Sequence, residues 1–130
     1  MTGLLLDSHA ILWALEDDPR LSPRARRAIQ RADVLRYSTA SLWEIAIKTS
    51  LQRDDFRLQA DWWVVIPAEL RRMGVARLDI EPQDCRAVAQ LPWIHRDPFD
   101  RLLVAQAQRE SLHLLSRDGN LADYGVPVVW

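Results

Sequence analysis

In the stretch LLLDSHAILWAL (residues 4–15) a carboxylate, Asp7, stands directly behind three leucines. A charge at the junction of a buried strand and a helix costs desolvation energy unless a backbone cap, a basic side chain or a metal ion compensates it. Three more acids occupy comparable places. Glu44 lies about a turn into STASLWEIAIK, Asp100 in the first turn of PFDRLLVAQA, and Asp118 two residues beyond LHLLS. Brought together, four carboxylates push one another's pKa upward and cannot all stay ionised unaided. A divalent cation resolves the conflict, and carboxylates without a His or Cys cluster suit Mg2+ or Mn2+ rather than zinc. Such ions hold phosphate oxygens and activate water, so the chemistry implied is phosphodiester or phosphoryl hydrolysis.

Each acid also has a purely structural reading. Asp7 can cap the helix that opens at Ser8. Glu44 can close a capping box with Ser41 or pair with Lys48 four residues on. Asp100 can serve at the third helical position behind Asp97, with Pro98 at the first, and Asp118 can belong to a D-G turn. Taken singly, Glu44 and Asp118 favour the structural reading, whereas Asp7 and Asp100 are balanced. Four independent caps on one edge of a sheet is a less economical account than one site.

The elements that must gather these acids follow from periodicity. Gly3 to Leu6 reads as a first strand and Ser8 to about Leu15 as a helix. SPRARRAIQRA opens a second helix with Ser22 as N-cap and Pro23 at the first helical position. VLRYS is a second strand and TASLWEIAIKTSL a third helix. ADWWVVIPAELRRM is helical, with Pro67 starting, kinking or ending the helix there. VARLDI is a third strand, Pro82 opens a helix through Leu91, LPWIHRD is a loop, and PFDRLLVAQAQRES is a helix. LHLLS forms a fourth strand; after the turn-like RDGN, a short helix leads to a terminal strand, VPVVW. The alternation predicts a three-layer α/β domain, a parallel β-sheet flanked by α-helices. In such sheets ligands bind outside the carboxyl ends of the strands, where Asp7 and Asp118 fall.

Composition narrows the classes. The 130 residues fit one domain, and 48% hydrophobic with 27% charged residues builds a real core, so disorder is excluded. Seventeen basic residues against 18 acidic ones give a net charge of −1, which neither demands nor forbids a polyanionic partner, because a local patch suffices. The single cysteine, Cys85, cannot form an internal disulfide. No secretory leader is evident, and no apolar run approaches the roughly 20 residues that span a bilayer. The expectation is a cytoplasmic protein without membrane contact.

LLLDSHAILWAL, STASLWEIAIK, HRDPFDRLLVAQA and LLSRD…YGVPVVW resemble, in order, the motifs of the PIN-domain ribonucleases, and most closely the VapC-type toxins of bacterial toxin–antitoxin pairs. The resemblance covers nearly the whole chain, and the ordered set is specific where one motif alone is weak. It implies a single PIN domain over residues 1–130 and a Mg2+- or Mn2+-dependent endoribonuclease site. The family's four acids correspond to Asp7, Glu44, Asp100 and Asp118; Asp7, Glu44 and Asp100 are expected to bind the metal or organise its ligands, with Asp7 and Asp100 as the metal ligands named, and Asp118 completes the pocket. A small hydroxyl residue often sits near these acids, and Ser8, Ser38 and Ser116 are the candidates. The resemblance further implies an RNA substrate, a homodimer, and a cognate antitoxin whose tail covers the catalytic groove.

Several other residues have plainer roles beside a functional one. His9 is read as a structural histidine at the helix start, since hydrolysis at a metal needs no His base. His95 and Arg96 stand in the loop before the third acid and either touch a phosphate or serve only the loop. Asp97 reads as an N-cap because Pro98 follows. Arg24, Arg27 and Arg31 form a basic stripe at helical spacing, joined by Arg20 and Arg26, for which a solvated helix face is weakly preferred over phosphate binding. Trp62 and Trp63 are adjacent and so diverge on a helix; one faces the core and the other a partner chain. Two rival functions remain at this point. A PIN-like module can grip RNA or protein without cutting, and a phosphatase can use an Asp nucleophile after strand one, although its usual second Asp is here His9.

Overall fold

The computed structural model describes residues 2–51 and 58–130. Five strands, β1 (Gly3–Leu6), β2 (Val34–Ser38), β3 (Val75–Leu78), β4 (His113–Leu115) and β5 (Val128–Val129), form one sheet in the order β3-β2-β1-β4-β5. Every pairing is parallel. Among the described residues, six helices connect them: α1 (Ser8–Leu15), α2 (Pro23–Arg31), α3 (Thr39–Ser50), α4 (Trp62–Arg72), α5 (Pro82–Gln90) and α6 (Pro98–Glu110). A 3₁₀ segment, Gly119–Tyr124, leads to β5 and closes on Gly125 at φ +89°, a left-handed conformation that glycine adopts without steric cost.

The leucine run of β1 shows why the sheet is covered on both faces. Alternate side chains point to opposite faces. Leu4 and Leu6 pack with Ile11 of α1, Ala25 of α2, Ile45 of α3 and Leu70 of α4. Leu5 packs with Leu103, Val104 and Ala107 of α6 on the other side. All three leucines are fully buried. A strand buried on both faces reads as an unbroken apolar run, and this one is the centre of the sheet.

Local signals set most helix starts. Ser22 caps α2 by accepting from the Ala25 amide at 3.0 Å, with Pro23 next to it. Asp97 caps α6 by accepting from the Phe99 amide at 2.8 Å. Pro67 lies inside α4 rather than at an end. Its ring removes one helical hydrogen bond, a cost of about 3 kcal/mol in an ordinary interior; burial of Ile66 and Leu70 on either side of it opposes that cost. Strand three stops at Leu78 and does not include Asp79 and Ile80, strand four is the three residues His113–Leu115, and the terminal strand is confined to Val128–Val129. Two of the trimmed residues still bond across the β4–β5 pair: the Pro127 carbonyl accepts from the Leu114 amide at 2.8 Å, and the Ser116 amide donates to the Val129 carbonyl at 3.2 Å.

Two buried charges brace the α5–α6 side. Asp84, fully buried, accepts from the Glu81 amide at 2.8 Å and holds Arg109 of α6 through both oxygens, at 2.6 and 3.0 Å. Arg101, 3% exposed, donates to the carbonyls of Pro92 (2.8 Å), Val88 (3.0 Å) and Leu91 (3.3 Å) and to the Tyr124 hydroxyl (3.1 Å). The loop between α5 and α6 is thereby fixed, and with it His95, whose amide donates to the same Tyr124 hydroxyl at 2.8 Å. No described helix is long and apolar enough to cross a membrane.

Candidate active site

The carboxyl ends of β1 and β4 are neighbours in the sheet, so the chain leaving each one enters the same space. The Asp7 amide donates to the Leu115 carbonyl at 3.1 Å, which joins the two exits directly. Asp7, Glu44, Asp100 and Asp118 all line one pocket there, together with Ser8, His9, Lys48, Asp97, Ser116 and Arg117. All four acids singled out in the sequence are brought together.

Asp7 and Asp118 each make the local bond of their structural reading and also line the pocket. Asp7 caps α1, accepting from the Ala10 amide at 2.8 Å, while its carboxylate borders the pocket. Asp118 accepts from the Asn120 amide at 3.1 Å at the start of the 3₁₀ segment. Glu44 differs from its structural reading in part. The cap of α3 is Ser38, which accepts from the Ala40 amide at 3.0 Å, so no capping box with Ser41 forms and Glu44 sits in the second turn. Its carboxylate is 8% exposed, accepts from the Ser8 hydroxyl through one oxygen and meets Lys48 Nζ at 3.1 Å through the other. Asp100 stands at the third position of α6, behind the Asp97 cap.

The hydroxyls divide accordingly. Ser8 orients Glu44. Ser116 accepts from the Asp118 amide at 3.1 Å and hydrogen-bonds the Asp7 carboxylate, so one side chain spans two of the acids. Ser38 is spent on its helix cap. His9 lines the pocket with its ring 5.0 Å from that of Trp13, in keeping with a structural role.

Crowding shows in the acidities. Burial, with a further contribution from Glu44, raises Asp7 to about 6 against the opposing bonds from Ala10 and Ser116. Burial, and then the charges of Asp97, Glu44, Asp7 and Asp118, raise Asp100 to about 7. An excess of negative charge that pushes two carboxylates toward neutrality is what a bound cation relieves. A ligand atom from each of His95, Asp100 and Asp118 lies within 4.8 Å of the others, and His95 Nδ1 is 3.8 Å from Asp118. These residues fit a divalent cation. Asp7 is not in that trio, although it shares the pocket with Asp100.

His95 was the least legible member, since nothing local in LPWIHRD directs it to the acids; the Arg101 and Tyr124 bonds do so. Lys48, Arg117 and Asp97 also line the pocket without having been read as site residues. Asp97 carries a hint in its sequence, three residues before Asp100, but its cap chemistry masked it.

A parallel sheet in this order, with acids at the exits of its two central strands, defines a class. The chain belongs to the PIN-domain family, whose description as a PIN domain fits residues 4–127. Over 134 aligned positions that cover the whole of both chains, it is 31% identical to Ribonuclease VapC22 of Mycobacterium tuberculosis. The fold is similar to that of VapBC2 from Rickettsia felis bound to a DNA fragment from its promoter, at a TM-score of 0.67 and 11% identity over 98% of this chain and 97% of that one. It is similar also to VapBC-1 from nontypeable Haemophilus influenzae, at a TM-score of 0.66 and 16% identity over 98% and 96%.

Proposed function

We propose that the chain is a divalent-metal-dependent endoribonuclease that hydrolyses RNA phosphodiester bonds as the toxin of a toxin–antitoxin pair. The observation that carries this reading is the convergence of Asp7, Glu44, Asp100 and Asp118, from four separate segments, on one pocket. Its full-length relative is named a ribonuclease, which supports RNA as the substrate.

In this reading the four acids are the catalytic residues, and Asp7 and Asp100 hold the metal, Mg2+ or Mn2+, with His95 and Asp118 placed to assist. One imidazole among carboxylates leaves the donor set dominated by hard oxygen. A divalent cation held there supplies the Lewis acidity for phosphodiester hydrolysis. The remaining work falls to the chain itself. Ser8 and Lys48 fix both oxygens of Glu44, so its carboxylate cannot rotate away. Ser116 ties Asp7 to the Asp118 backbone and keeps the exits of β1 and β4 in register. Without a cation Asp7 and Asp100 are raised to about 6 and about 7; a divalent cation between them would favour their ionised forms. Lys48 and Arg117 offer positive charge to a phosphate entering the pocket.

The same reading makes residues 1–130 one domain, acting in the cytoplasm as a homodimer restrained by a cognate antitoxin. Trp62 packs against the core while Trp63 is 64% exposed, which supports a partner chain on the Trp63 side of α4. The test is RNA cleavage by metal-stripped protein with Mg2+ restored or EDTA retained. Cleavage confined to the Mg2+ arm is expected; equal cleavage in EDTA contradicts the proposal.

A further inference from the structure

Arg24, Arg27 and Arg31 line one shallow groove of about 340 Å3, completed by Ala28 and Val129. All three are exposed, and none has an ion pair or hydrogen bond among the described residues. Arg26 of the same helix is the contrast. It donates to the carbonyls of Leu21 (3.3 Å) and Asp18 (2.6 Å) and pairs with Asp17, so it holds the α1–α2 turn.

The three groove arginines have no such employment, and their placement has a cost. The helix sequence PRARRAIQR contains no acid, so no i,i+3 or i,i+4 partner offsets their mutual repulsion. Arg24 stands in the first turn, against the positive end of the helix dipole. A solvated face intersperses both signs of charge; this one presents a single sign into a concave surface. An anionic ligand is the compensation that fits.

Position names the anion. The Val129 carbonyl accepts from the Ser116 amide at 3.2 Å, so the wall of the groove is bonded to a residue of the acid pocket. Arg117 of the pocket lies 5.0 Å from the Trp13 ring centre, Trp130, the neighbour of Val129, packs on that ring at 5.7 Å, and Arg20, paired with Asp18 at 2.8 Å, lies at 4.9 Å. Arg117 therefore carries positive charge from the pocket toward the C-terminal strand that walls the groove. At 1.5 Å of rise per residue, Arg24 to Arg31 spans roughly 10 Å, long enough for a stretch of extended polyanion rather than a single ion. We propose that the α2 groove binds the phosphodiester backbone of the same RNA strand that is cut in the pocket, gripping it to one side of the scissile bond. This rests on the ribonuclease reading above.

The test is binding of a fluorescent, unstructured RNA to the full chain in EDTA, where no cleavage is needed, across a salt series. Each phosphate neutralised contributes about 0.7 to the slope of log affinity against log salt for a single strand. The triple variant Arg24→Gln, Arg27→Gln, Arg31→Gln should lose about 2 from that slope and bind roughly tenfold or more weakly at moderate salt. Each single variant should lose about 0.7, and the triple lysine variant should keep the wild-type slope. In Mg2+, the triple glutamine variant should cut a short oligonucleotide confined to the pocket as wild type does, while its KM for long RNA rises. An unchanged salt slope in the triple variant overturns the groove. So does loss of polyglutamate binding with RNA affinity intact, which assigns the surface to an acidic protein segment. If wild type does not cut RNA but the slope still falls, the groove stands and the ribonuclease reading fails; cleavage with an unchanged slope sinks the groove alone.

Discussion

The acid pocket at the exits of β1 and β4 and the groove between α2 and Val129 are built on opposite plans. The pocket draws its charges from separate segments, and each acid but Asp100 is held by a named hydrogen bond. The groove takes three charges from one helix, none of which has an ion pair or hydrogen bond among the described residues. A net charge of −1 conceals both. Charges held by hydrogen bonds at defined positions suit bond-breaking chemistry, whereas exposed arginines spaced along one helix suit a backbone that can bind in many registers. The difference teaches that charge balance over a whole chain says little about its ligands.

The largest effect should come from neutralising the pocket. Asp7→Asn or Asp100→Asn should reduce RNA cleavage by more than the roughly 10–100-fold that loss of an outer-sphere partner costs a metal site, with unchanged circular dichroism. Next, Ser8→Ala should fall within that 10–100-fold range, because it frees one oxygen of Glu44 without removing a charge; steady-state cleavage rates compare the two variants directly. Loss of cleavage from the α2 variants on a short oligonucleotide would erase the contrast between the regions.

Stability sharpens the same contrast. Folded Asp7 and Asp100 keep their protons up to about 6 and about 7, whereas the unfolded chain releases them near 3.8. Between those values the folded state binds more protons, so the metal-free protein should lose stability as pH rises through that window. Removing one charge relieves the repulsion. In EDTA near neutral pH, Asp100→Asn should melt higher than wild type, because repulsion among several carboxylates exceeds the roughly 0.3–1 kcal/mol that an acid in a first helical turn contributes. Millimolar Mg2+ should then raise the wild-type melting temperature and move the variant's much less. Thermal scans in the two buffers over a pH series check all three points. The smallest effect belongs to the groove: Arg24→Gln should stabilise the fold by about 0.3–1 kcal/mol in urea melts, since a cation leaves the positive end of α2.

Convergence of the acids was legible because strand–helix alternation places the carboxyl ends of a parallel sheet together, and Asp7 and Asp118 immediately follow two such ends. Glu44 and Asp100 fall near the starts of the helix leaving strand two and the helix leading into strand four, and the resemblance to PIN-domain ribonucleases points to the same four acids. What stayed hidden depends on contacts distant in sequence. His95 reaches Asp118 only because Arg101 and Tyr124 clamp its loop, and no periodicity reports that. Asp84, read as nothing more than part of a helix, is a fully buried partner of Arg109, 25 residues away. Ser38 rather than Ser41 caps α3 because β2 runs into the helix without a turn, a junction that S-L-W-E imitates three residues late. The arginine stripe was visible in the sequence, but the absence of partners that separates it from a solvated face required the structure.

The central claim is that the gathered carboxylates hold a divalent cation. Titration of Mn2+ into the metal-free protein, followed by loss of the free-ion electron paramagnetic resonance signal, reads this directly without RNA. Wild type should deplete the signal, Asp100→Asn should deplete it far less, and the triple α2 variant should match wild type. Equal depletion by wild type and Asp100→Asn would contradict the account.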